Sequence, residues 1–142
     1  MKQRQKYSKW ALLVEGIILV GMGLYFIILR PPMLPEDFNY IHTNATTIND
    51  DLPGLLIWLK KVFIVLGGYI VASGMLLSYL ALNEPIKQTN AWPVLILVAS
   101  LSSIGLMTAV NFIIDSNFKW ILLFFNVPWL TSFSLTLSSN KS

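Results

Sequence analysis

Residues 10–29 read WALLVEGIILVGMGLYFIIL, an apolar run with a single charge, opened by Lys2, Arg4, Lys6 and Lys9 and closed by Arg30. A helix rises about 1.5 Å per residue, so about 20 apolar residues cross the hydrocarbon core of a bilayer. The run is therefore expected to be a transmembrane helix. It is longer than the about 7–15 apolar residues of a secretory leader. Arg30-Pro31-Pro32 follows where a small-residue cleavage site would stand, so the run is read as a retained first span.

Three similar runs come after it. A helix is expected to start near Leu52, with Asp50 or Asp51 as its cap ahead of Pro53, and to run to Leu82. Trp58, Lys60 and Lys61 mark headgroup depth, which leaves residues 62–82 as the second span. Asn83-Glu84-Pro85 should break that helix, and residues 86–91 should turn the chain. The third span is placed at 92–114, with Pro93 tolerated in its first turn. Asp115-Ser116-Asn117 makes a tight connection to a fourth span at 118–137, and 138–142 form a polar tail. The expected fold is an all-α membrane protein, one integral domain over 1–142. Four transmembrane helices run up-down-up-down in a bundle, as short connections dictate. Residues 30–54 form a polar loop.

Composition points the same way. The chain has 142 residues, 55% of them hydrophobic and 12% charged, with a mean hydropathy of +0.64. Soluble domains carry about 25% charged residues. Four spans and their links use nearly the whole length, leaving no room for a soluble catalytic domain. The net charge of +3 sits beside the apolar runs rather than on one face of a soluble fold, so nucleic acid is not an expected partner. Cysteine is absent, which removes disulfides, thiolate chemistry and Cys-ligated metals. No cofactor is expected.

The placement of Lys and Arg sets the orientation. The four cations before residue 10, with Lys87 and Lys141, favour a cytoplasmic N-terminus and C-terminus at the cell membrane. Loop 30–54, with Glu36, Asp37, Asp50 and Asp51, then lies outside.

Small residues recur where helices would meet. Gly16 and Gly23 lie seven apart on span one, as do Gly67 and Gly74 on span two, with Gly68 alongside; span three offers Gly105. Small side chains let backbones approach closely in lipid, so these are read as packing positions.

Glu15 is the one acid inside an expected span. Ionisable groups at such depth are costly and often mark function. It is the candidate catalytic acid/base, with two structural alternatives. One is a tie to another helix through Ser78, Tyr79, Thr131 or Ser134; the other is a side chain reaching the headgroups. Asn126, two residues before Pro128, and Asn111 are candidates for ligand or interhelical polar contacts, and Pro128 should kink the fourth span. His42 is the single histidine. Among the acids of the outer loop it is a candidate metal ligand, though without ligand spacing. Trp10, Trp58, Trp92 and Trp120 stand at span boundaries, as an aromatic belt would. Trp129 lies deeper and is assigned to core packing.

Gly21-Met22-Gly23-Leu24-Tyr25 running into a Pro-bearing loop, and Phe63-Ile64-Val65-Leu66-Gly67-Gly68-Tyr69 with Gly74 beyond, resemble the small DoxX-like membrane proteins of bacteria. The resemblance covers about residues 10–82. It implies a four-helix bundle in a bacterial membrane and brings no catalytic motif.

Few buried polar groups, several small-residue faces and the lack of a soluble domain lead to one functional expectation. The chain is read as a non-enzymatic accessory or scaffold subunit of the lipid bilayer. It would pack against a membrane-protein partner or a second copy of itself, or bind a lipid-like molecule. The alternatives are an enzyme acting on a hydrophobic substrate through Glu15, and a transporter or channel subunit using the Asn126-Val127-Pro128 break.

Overall fold

The computed structural model describes residues 2–83 and 91–139, and among them all regular structure is helical. The expected break at Glu84-Pro85, the turn that follows it and the last three residues lie outside the described residues. Helix α1 (Lys2–Leu24) continues into a single π turn at Tyr25–Leu29, closed by the Arg30 amide donating to the Tyr25 carbonyl at 2.8 Å. Two short helices, α2 (Pro35–Tyr40) and α3 (Ala45–Asp51), precede α4 (Leu55–Leu82). Then come α5 (Trp92–Ser100), a second π turn at Leu101–Gly105, α6 (Leu106–Ile113), α7 (Lys119–Phe125) and α8 (Val127–Ser139).

Four of the resulting rods are long and apolar enough to cross a membrane: Gln3–Leu29, Leu55–Leu82, Trp92–Ile113 and Lys119–Ser138. They are called spans one to four below. Span one packs against spans two and four, and span four against span three, while spans two and three share no comparable contact. Span two is accordingly the least buried, with 6% of its apolar stretch buried against 22–28% in the other three.

The first seam is glycine on glycine. A Cβ added to Gly74 would stand 2.6 Å from the Gly16 carbonyl oxygen, and one added to Gly67 would stand 2.7 Å from that of Gly23. The reverse additions meet Gly74 O at 2.8 Å and Gly67 O at 2.7 Å. Residue 16 faces 74 and residue 23 faces 67, so the two helices run in opposite directions with their backbones touching. Gly68 and Gly21 have nothing within 4 Å and face away from the seam.

Between spans one and four, three hydroxyls do the work that glycine does elsewhere. Ser8 Oγ lies 3.0 Å from Ser132 Oγ and 2.9 Å from Thr136 Oγ1, and all three residues are buried. Around the centre Leu12, Leu19, Ile96, Ile104 and Leu122 form one apolar core with Trp92 and Trp129. Trp129 is in the core, as its depth in the sequence led one to expect. Trp92, at the start of span three, is 4% exposed and belongs to the core cluster rather than standing free on the surface.

The polar loop is more ordered than a run of Pro, Asp and Asn implies. Pro35 opens α2, where the Leu34 amide donates to Asp37 Oδ2 at 2.8 Å. Asn44 caps α3 by accepting from the Thr47 amide at 2.9 Å. Asp50 and Asp51 belong to the end of α3 and do not cap the long helix. That role falls to Gly54 at φ 98°, a left-handed conformation that glycine adopts without a Cβ clash.

Candidate functional site

The gap between spans two and three is a half-open cleft of about 1080 Å³, slightly larger than the about 300–1,000 Å³ of ligand pockets. Span two contributes Phe63, Leu66, Ile70 and Leu77 to one wall, and span three contributes Ala99, Leu106 and Met107 to the other. Leu19, Met22 and Phe26 of span one and Leu122 and Phe125 of span four form the floor. One end is capped by Leu34 and Asp37 from the loop, with Arg30 and Phe118 beside them.

Polar side chains in the long walls are turned inward to their own helices. The Ser73 hydroxyl donates to Tyr69 O at 2.8 Å, Ser102 to Val98 O at 2.7 Å and Ser103 to Ala99 O at 2.7 Å. Asn111 Nδ2 donates to Met107 O at 2.9 Å. Each of these side chains donates to a carbonyl of its own helix, as Ser and Thr do in membrane helices. Among the described residues of the lining, Arg30 and Asp37 are the two charged ones, and both lie at the loop end.

That end is a built structure. Arg30 is buried at 8% exposure, and its guanidinium lies 3.5 Å from the Phe63 ring centre and 5.3 Å from that of Phe26. It donates to Asp37 Oδ2 at 3.3 Å and to Pro31 O at 3.1 Å. Lys60 Nζ donates to Arg30 O at 2.7 Å, tying the start of span two to the end of span one. Burial lowers the Arg30 pKa from its usual value, and the Asp37 carboxylate works against that shift. On the far side of α2, Glu36 accepts from the Ser116 hydroxyl at 2.8 Å, which fixes the short helix over the turn between spans three and four.

Glu15 lies elsewhere. It is fully buried between Leu12 and Leu19 of the core, is not among the cavity's lining residues, and neither carboxyl oxygen has a hydrogen-bond partner among the described residues. The expected tie to another helix does not form. Ser78, Thr131 and Ser134 donate to carbonyls of their own helices, and Tyr79 is 62% exposed. Nor does the side chain reach the headgroups, since it has no exposed surface. Ser100, on the same buried stripe of span three as Ile96 and Ile104, also has an unpartnered Oγ.

Asn126 separates α7 from α8 at the position where Pro128 removes an amide. Its side chain bridges the break: Nδ2 donates to Leu122 O and to Thr108 Oγ1, both at 2.7 Å, and Oδ1 accepts from Trp129 Nε1 at 2.9 Å. Gly105 lies beside it, with an added Cβ 3.9 Å from Asn126 Oδ1. The network joins spans three and four and leaves the amide's donors engaged. Asn111 makes its bond within its own helix.

His42 is exposed in a turn at φ 54°. Glu36 and Asp37 are drawn to Ser116 and Arg30, and among the described residues no three His, Cys, Asp or Glu side chains group as a metal site would require.

The residues that shape the cavity's polar end were not singled out from the sequence. Arg30 reads there as a flanking charge. The signal available was the pairing of Arg30 with Asp37, seven positions on, across a helix opened by Pro35. Comparison with protein-family models, curated proteins and solved structures finds no match to this chain.

Proposed function

We propose that this chain is a non-enzymatic accessory protein of the cell membrane that holds a lipid-like molecule in the cleft between spans two and three. Both termini face the cytoplasm, the four helices cross up-down-up-down, and the 30–54 loop lies outside. The single observation supporting this is the cleft itself: long apolar walls whose charged lining, among the described residues, is Arg30 and Asp37 at the loop end, the distribution of an amphiphile. The orientation draws on the cations around residues 2–9. The glycines of residues 10–82 support a kinship with DoxX-like bacterial proteins.

The alternatives draw less support. Glu15 stands away from the cavity, so an acid/base role there has no substrate route. The donors of Asn126 are engaged in a structural network, which leaves little for a transport path.

Native mass spectrometry of the full chain from mild detergent tests the proposal. A bound amphiphile is expected on the wild-type protein, and Ala99→Trp, which fills the cavity wall, is expected to remove it. A folded wild-type protein that takes up no amphiphile, or an Ala99→Trp variant that binds as well as wild type, overturns it.

A further inference from the structure

Resting on that reading of the cleft, we infer that its occupant carries a phosphoryl headgroup seated on Arg30 at the loop end. A guanidinium has five N–H donors in a fixed plane. Arg30 commits one to Pro31 O and one to Asp37 Oδ2, and its remaining N–H groups have no partner among the described residues. The side chain is buried and lines the cavity. These N–H groups are not sealed off in the protein, so they are free to meet an oxygen acceptor on whatever occupies the cleft.

The pairing with Asp37 is loose. It is a single contact at 3.3 Å to an oxygen that also accepts from the Leu34 amide at 2.8 Å. One N–H on each terminal nitrogen and the Nε–H remain as donors for a phosphate oxygen. Phe63 and Phe26 hold the plane of the guanidinium, so little freedom is lost when a ligand binds. Four charges surround the seat. Arg30 and Lys60 are balanced by Asp37 and by Glu36, whose carboxylate is turned to Ser116. Attraction thus comes from the open donors rather than from net charge. Among the described residues no charged side chain lines the opposite end, where Leu80 and Leu95 stand in the walls. A lipid would lie with its phosphate at the loop-end leaflet and its chains along spans two and three.

The test compares phosphatidylglycerol with diacylglycerol of the same chains, each added to the detergent-purified full chain and measured as lipid retained per protein. Phosphatidylglycerol is expected to be retained about tenfold more, the effect of about 1.4 kcal/mol. Arg30→Gln is expected to abolish the preference for phosphatidylglycerol over diacylglycerol. If Arg30→Gln does not fold, the preference of the wild-type protein decides alone. Equal retention of the two lipids, with Ala99→Trp still excluding both, overturns the headgroup inference and spares the cleft reading. Loss of the Ala99→Trp effect overturns both. Inorganic phosphate is expected not to displace phosphatidylglycerol; displacement at millimolar concentration would make the ligand a free phosphate and overturn the lipid assignment.

Discussion

The Ser116 hydroxyl donates to Glu36 Oε1 at 2.8 Å, joining residues eighty positions apart. Both are buried, and Ser116 Oγ also accepts from the Phe118 amide at 3.1 Å. The contact holds α2 over one end of the bundle, where Leu34 and Asp37 cap the cavity. Ser116→Ala leaves a buried carboxylate oxygen and an amide short of a partner, a loss of about 1–3 kcal/mol. The expected outcome is faster proteolytic cleavage in the exposed 39–46 segment, read by mass spectrometry. Cleavage at the wild-type rate would show that the loop is held by other contacts.

The glycine seam predicts a sharp contrast within span two. Gly67→Ala and Gly74→Ala each force a Cβ against a backbone oxygen at under 3 Å, and overpacking of this kind costs about 1–3 kcal/mol. Gly68→Ala, with open space around it, is expected to be neutral or slightly stabilising through its better helix propensity. Unfolding in a denaturing-detergent titration measures all three. Equal effects at 67 and 68 would contradict the seam.

Glu15 buries two unpartnered oxygens in an apolar core. Glu15→Met keeps length and removes the unmet polarity, so it is expected to raise stability by about 1–3 kcal/mol. The same titration reads it. A less stable Met variant would show that the carboxyl is satisfied by a group bound from outside the chain.

Asn126→Leu removes three hydrogen bonds at once and strands Trp129 Nε1. A loss of about 1–3 kcal/mol is expected from the unmatched groups at the helix break. Adding Thr108→Val should cost less in this background than in wild type, because the two share one network. Additive losses in the double variant would separate them.

The four spans were legible because a score or so of apolar residues is enough to declare a crossing, whatever they touch. The third was expected at 92–114 and is found at Trp92–Ile113. The start of span two was not legible. Asp50 and Asp51 carry the chemistry of a cap, but Gly54 takes that place by conformation, which side-chain reasoning does not see. Trp92 has the composition of an interfacial anchor and is buried by packing. The cleft left no mark at all. Residues that face lipid and residues that face an apolar cavity are equally hydrophobic, so no periodicity divides Leu66 from Val65. Glu15 was legible as an anomaly, but the absence of any partner for it was not.

Span one is the hub to which both flanks of the molecule are fastened, and among the described residues span two packs chiefly on it. The first two helices thus form a self-sufficient hairpin that can close as soon as both have entered the membrane. The later pair must then find the opposite side of the first. A bulky residue at Gly23 would open this hairpin before the second half of the chain is made, so damage there should appear as failed biogenesis rather than as a weakened mature protein.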